Sequence, residues 1–287
     1  MKKFMVRAAL LSGAVVALNP AFANHSWGNY HWARTSNPLK LDVMKAITSQ
    51  WNTSVNASIS DWDQSNVLTL TGKTATGVNT KKCTAIPGKI LVCNAAYGQR
   101  GWLGIASIWA SGDHITQATT KLNDSYHDKA PYNTAPWRAL VACQEIGHDF
   151  GLAHQDEQFD PPNLGSCMDY TNDPDGGGAY GPSNEHPNAH DYDQLQTIYS
   201  HTDSTNTSAT QMTNFAVRVP GQANVAPPGL NNEAGDSPAE WGRAIHTDGQ
   251  GRPDMFVQDL GGANRKITHV FWAPGEGPPG LANHHDD

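Results

Sequence analysis

The run Cys143-Gln-Glu-Ile-Gly-His148-Asp-Phe-Gly-Leu-Ala-His154 constrains this chain more than any other stretch. Read as a helix and the turn that follows, it puts residues 144 and 148 one turn apart on the same face, with Glu145 beside them. Gly151 lets the backbone leave the helix without a Cβ penalty, so His154 can swing back toward the same point. Two imidazoles and a carboxylate are thereby gathered. Zinc hydrolysis uses such a set, because the metal polarises a carbonyl and acidifies a water while an adjacent Glu accepts the proton.

The rest of the composition sets the compartment and argues against several partners. Over 287 residues the chain carries a net charge of −8, with 38% hydrophobic and 16% charged residues, which suits a soluble globular core rather than disorder or a multi-span membrane protein. Nucleic acid is not an expected partner, since beyond Lys2-Lys3 and Lys81-Lys82 no basic cluster exists to replace phosphate counterions. The N-terminus reads as a cleaved bacterial signal peptide over residues 1–23. Lys2, Lys3 and Arg7 precede a short apolar run, and Ala21-Phe22-Ala23 is a small-x-small cleavage site. That run falls short of the ~20 apolar residues of a spanning helix, so no membrane association is expected. A secreted or periplasmic monomer is the expectation.

All four cysteines follow the leader, where oxidation favours disulfides, although four cysteines allow three pairings. Cys83 and Cys93 flank a Pro87-Gly88 turn between two strand-like runs, which suggests a local bridge across a hairpin and leaves Cys143 for Cys167. Four-cysteine zinc binding is disfavoured because no C-x-x-C pair is present.

Residues 42–61 carry Val43, Ala46, Ile47, Trp51 and Val55 at mixed spacings of three and four and predict an amphipathic helix. Residues 67–70, 90–92 and 102–109 predict strands. Thr134-Ala-Pro136 opens a second helix that Gly151 ends, and a third spans roughly 188–200. Residues 254–260 and 266–272, separated by Gly261-Gly-Ala-Asn264, predict a C-terminal hairpin. The expected organisation is a catalytic domain over 24–203, an irregular linker over 204–238, a hairpin segment over 239–274 and a disordered tail over 275–287.

At this point the sequence resembles the metzincin metalloproteases, whose motif is H-E-x-x-H-x-x-G-x-x-H followed by a Met-containing turn. Glu145, His148, Gly151 and His154 match, Ser166-Cys-Met168-Asp-Tyr170 is similar to the Met-turn, and residues 187–199 are similar to the last helix of matrixin-type domains. The resemblance is strong over residues 134–200, architectural over 40–133 and absent after 205. It implies an α+β fold with a twisted mixed sheet, an active-site helix and a lower lobe around the Met-turn, to which the C-terminal hairpin is an appendage. It also implies a zinc endopeptidase with Glu145 as general base and His148 and His154 as ligands. Met168 would pack beneath the site, and Tyr170 is either a transition-state hydrogen-bond donor or a buried phenol. Residues 98–123 fall where metzincins place the edge strand above the metal, and an unpaired edge can bind an extended polypeptide substrate.

One position departs from the motif: Gln144 stands where the first His belongs. An amide oxygen is a weaker zinc donor than imidazole, and three readings follow. In the first, Gln144 still ligates through its oxygen and the site works with altered affinity; residues 144–157 are also similar to secreted metzincin-like proteins with a Q-E-x-G-H helix followed by Gly-Leu-x-His-Gln-Asp-Glu. Alternatively His114, His186 or His190 replaces it, or the protein is an inactive relative serving as a secreted binding protein. Glu145, dispensable for folding but needed for catalysis, favours activity. Asp156, Glu157, Asp160, Asp173 and Asp175 form an acidic stretch that could take Ca²⁺, but without EF-hand spacing a solvated loop is the better reading.

Overall fold

The computed structural model describes residues 25–157, 163–178, 181–209 and 232–278. The expected signal peptide, residue Asp160, most of the linker and most of the C-terminal tail lie outside the described residues. In chain order the elements are β1 (His31–Trp32), β2 (Leu39–Ala46), a 3₁₀ turn (Ser49–Trp51) running into α1 (Asn52–Trp62), β3 (Leu68–Thr74), β4 (Ile90–Ala95), β5 (Trp102–Ser111), β6 (His114–Asn123), α2 (Asp124–His127), α3 (Ala135–His148), α4 (Ala189–Ile198), α5 (Pro238–Trp241), β7 (Arg243–Thr247), β8 (Pro253–Asp259) and β9 (Asn264–Trp272). The fold is α+β, with one large mixed sheet and few helices.

The sheet runs β3-β2-β4-β6-β5-β9-β8-β7, with β1 pairing to the start of β6. Strands β2, β3, β4 and β6 are mutually parallel, whereas β5 is antiparallel to both β6 and β9. Helices α1 and α3 pack against each other beneath the sheet, and Val55, Ile59, Trp62, Leu140, Val141 and Ile146 join Leu103, Ala106 and Ile108 in the principal core. A second cluster of Trp102, Ile105, Trp241, Phe256, Val270 and Trp272 covers the other face.

The helix expected over 42–61 begins later than its apolar spacing indicated. Leu39, Leu41 and Val43 are fully buried at intervals of two, so the period-2 pattern of a strand claims the first part of the segment. The helical face starts only at Trp51 and continues through Val55, Ile59 and Trp62. Helix α3 starts where its sequence signals place it, with the Thr134 side chain accepting from the Trp137 N–H and proline in the first turn. Helix α4 is closed by a capping box between Asn188 and Asp191.

Both expected disulfides are present, Cys83–Cys93 and Cys143–Cys167. The first does not span a hairpin: only Cys93 lies in a strand, and the bond fastens the preceding loop to β4. The second joins α3 to the segment carrying Met168. Replacing both Cys143 and Cys167 by Ser should lower the unfolding free energy by on the order of 2–4 kcal/mol, readable by denaturant titration; an unchanged midpoint would show that the bond does not restrain the unfolded chain. Among the described residues no helix is long and apolar enough to cross a membrane.

The C-terminal strands correct the expectation of an appendage. β8 and β9 form the expected hairpin, but β9 lies along β5 and carries the sheet onward to β7. The reason is that β9 is apolar on both faces: Ile267 and Phe271 enter the principal core while Val270 and Trp272 enter the second cluster. Such a strand is stable only inside a sheet.

Candidate metal centre

Helix α3 delivers Gln144, Glu145 and His148 to its buried C-terminal turn, and all three are fully buried. Gly147 allows a close approach from below, because a Cβ there would stand 2.6 Å from the Met168 sulfur and 2.7 Å from the Trp62 ring. Met168 therefore packs under the helix as the Met-turn resemblance implied. Gly151 has φ +94°, and a Cβ would fall 2.2 Å from the Tyr30 carbonyl oxygen. Only glycine fits this exit, after which His154 returns to lie edge-on to His148 at 5.1 Å between ring centroids.

His148 gives its Nδ1 to the Leu152 carbonyl at 2.8 Å, which leaves Nε2 buried without a hydrogen-bond partner. The Nε2 of His154 is likewise buried and unpartnered, and Nδ1 of that ring faces Glu157 at 3.5 Å. A third imidazole comes from β9. His269 sits opposite Ala106 of β5, its ring 4.0 Å from that of His148 and 4.4 Å from that of His154. One donor nitrogen from each of the three rings lies within 4.8 Å of the others.

The surroundings of His148 and His269 favour neutral, metal-ready imidazoles. Burial, with His269 and His154 adding to it, pushes His148 well below the ordinary histidine range, and burial together with His154 pushes His269 down to about 4. His269 Nε2 stands 3.5 Å from Asp254 Oδ2, and Nδ1 makes no hydrogen bond. A carboxylate behind a ligating ring is the usual device for fixing its orientation. Burial works against the Asp254 carboxylate, yet the hydrogen bond from His246 and the contacts with His269 hold it well below the usual range.

Glu145 lies against the underside of β5, and neither carboxylate oxygen makes a hydrogen bond of ordinary length. Burial, reinforced by Asp149, pushes it well above the carboxylate range, and the Ala106 backbone offsets only part of this. The Gln144 amide nitrogen donates to the carbonyls of Cys167 and Asp169 at 2.8 and 3.0 Å. Its Oε1 is buried and has no hydrogen-bond partner.

The chain matches no protein-family model and no curated protein.

The three histidines expected as alternatives to the missing motif His lie elsewhere. His114 sits with His31 and Asp203, His186 bonds Asp61 at 2.7 Å near the surface, and His190 stacks on His25. Sequence reasoning missed His269 because it sits in a strand-like run, Lys266-Ile-Thr-His-Val-Phe-Trp272, read as part of an appendage. Trp27, stacked on His148 at 5.1 Å and 10° between planes, was also missed; the only signal was a tryptophan close to the expected mature N-terminus. Tyr170 is fully buried, stacks on His154 at 4.7 Å, and its hydroxyl oxygen accepts from the Trp272 N–H and from Arg252. In this structure it is thus a buried phenol engaged by the C-terminal segment. The groups of close donor atoms found among the described residues all contain histidine, unlike the all-oxygen sets that calcium takes.

Proposed function

We propose that the chain is an exported zinc-dependent endopeptidase of metzincin type, in a form in which its own C-terminal strand covers the site. The observation that carries this reading is the convergence of unpartnered nitrogens from His148, His154 and His269 at the end of the helix that also carries the buried Glu145. Structural packing alone offers no reason to bury that set, since each orphaned polar atom costs free energy unless something binds it. The donor set suits zinc, with the Gln144 oxygen as a further, weaker donor. When bound, zinc would polarise the substrate carbonyl and acidify a water.

The chain's own residues supply the rest. His148 and His154 would hold the metal, their tautomers set by Leu152 and Glu157. Glu145 would take a proton from the attacking water and pass it to the leaving amine. The edge of β5 is the surface an extended polypeptide would pair with, and β9 occupies it, in antiparallel register from residue 102 to 111. A catalytic zinc keeps one position for water or substrate, whereas His148, His154, Gln144 and His269 together would fill four. Polypeptide access therefore requires β9 to give way. The two disulfides suit an oxidising compartment, in keeping with export.

The test is zinc content with chelator-sensitive cleavage of an unfolded protein substrate. Replacing His148 or His154 by Ala should abolish zinc at this site and with it any cleavage; unchanged zinc at the site in both variants would overturn the assignment. Replacing Gln144 by Ala should weaken zinc binding at this site, while replacing it by His should tighten it. If the Ala variant binds as tightly as the parent, Gln144 is only the anchor that its amide nitrogen makes to the Met168 segment.

A further inference from the structure

We propose a second zinc site, built from His31, His114, His201 and Asp203 where β1 meets the start of β6. It goes beyond the peptidase reading and stands whether or not that reading holds.

Four donor groups from three separate parts of the chain meet there. His31 belongs to β1, His114 opens β6 directly beside it, and His201 and Asp203 follow the end of α4. Asp203 Oδ1 stands 3.4 Å from His31 Nε2, 3.3 Å from His114 Nε2 and 3.5 Å from His201 Nε2. His201 Nε2 stands 3.2 Å from His31 Nε2. With zinc–nitrogen bonds of ~2.0–2.1 Å and zinc–oxygen bonds of similar length, neighbouring donors around a tetrahedral ion lie about 3.4 Å apart. The four observed separations fall around that value. The rings of His114 and His201 stand edge-on to His31, at 83° and 79°, so neither stacks on it.

The groups behind the donors point the same way. His31 Nδ1 lies 2.7 Å from the Asn29 carbonyl, a contact that turns Nε2 toward Asp203 and His201. Facing the Asp203 oxygen at 3.4 Å, Nε2 is placed to share a cation with it, a proton or a metal ion. Asp203 uses its other oxygen, Oδ2, to accept from the Arg34 N–H at 2.8 Å, which fixes Oδ1 toward the rings. A structural metal site has this pattern of ligands held by outer hydrogen bonds. Imidazole-rich donors with one carboxylate favour zinc over calcium or magnesium. His31 and Asp203 are nearly buried, while His114 and His201 have side-chain exposures of 38% and 52%, so an ion can enter from solvent without opening the core. Once bound, it would clamp the N-terminal segment and the segment after α4 onto the sheet. The same N-terminal segment carries Trp32, whose indole N–H donates to the Asp149 carbonyl at the end of α3.

Metal content by mass spectrometry, together with the d–d absorption of the Co²⁺-substituted protein, tests this on the full chain. The parent is expected to bind two zinc equivalents. The His114→Ala/His201→Ala variant should keep one and lose affinity for the other by on the order of 100-fold or more, since it loses two direct ligands. The His148→Ala/His154→Ala variant should keep the equivalent that the first variant loses. Added zinc should raise the melting temperature of the His148→Ala/His154→Ala protein and fail to do so once His114 and His201 are also replaced. The altered pair is partly exposed, so the fold should survive, as circular dichroism would verify; Asp203→Asn provides a smaller change with the same expected loss. Parental stoichiometry and affinity in the His114→Ala/His201→Ala protein would overturn the site. A single equivalent lost only with His114 and His201 would instead overturn the catalytic site and leave this one standing.

Discussion

Replacing His269 with Ala should leave zinc bound at the His148–His154 site and raise cleavage of an unfolded protein substrate about tenfold or more, the gain expected if the covered form outweighs the open one by at least that ratio. The reasoning starts from the donor count. His148 and His154 lie on the turn that the Gln144–His154 segment itself imposes, and Gln144 Oε1 is on the same helix end, so three donors are local to one short stretch of chain. His269 is remote in sequence and reaches the site only through β9, the strand that also covers the β5 edge. A ligand on the strand that blocks substrate is suited to being displaced, and its loss removes both a donor and part of the hold on that strand. Zinc lost from the His269→Ala protein would reverse this. His269 would then be a resident ligand standing in for the missing motif histidine, and the covered edge would mark a closed, non-catalytic metal centre.

Much of the site was legible because it is local. Residues 143–154 specify a helix, a glycine exit and a returning histidine within a few turns, and the structure places them so. Met168 was legible from its likeness to the Met-turn, and the Cys143–Cys167 bond by elimination once Cys83 was paired with Cys93. What sequence could not give was pairing between distant strands. Nothing local to Lys266–Trp272 says that it will lie on β5 rather than stand apart, and only that pairing brings His269 to the imidazoles. The cluster around Asp203 was hidden likewise, because His31, His114 and His201 have no shared spacing. The misplaced start of α1 has another origin: Val43 and Ala46 fit a helical spacing by accident, while the strand period through Leu39, Leu41 and Val43 decides the backbone.

Replacing Glu145 with Gln should leave zinc in place and slow peptide hydrolysis by roughly 10²–10⁴-fold, the usual contribution of a positioned general base. The substitution keeps the shape of a fully buried side chain, so the α3 helix and its contact with β5 should survive. It also removes a carboxyl whose burial is unfavourable, so thermal stability should stay level or rise. The measurement is best made in the His269→Ala background, where the site is expected to be open, with zinc content and melting temperature recorded beside the cleavage rate. A carboxylate that only filled space would give a Gln variant as active as its parent, and that result would remove Glu145 from the reaction. Loss of zinc in the Gln variant would show instead that Glu145 holds the metal. Retained zinc with hydrolysis lost is the outcome that separates moving a proton from binding an ion, and it is the one the proposed role of Glu145 predicts.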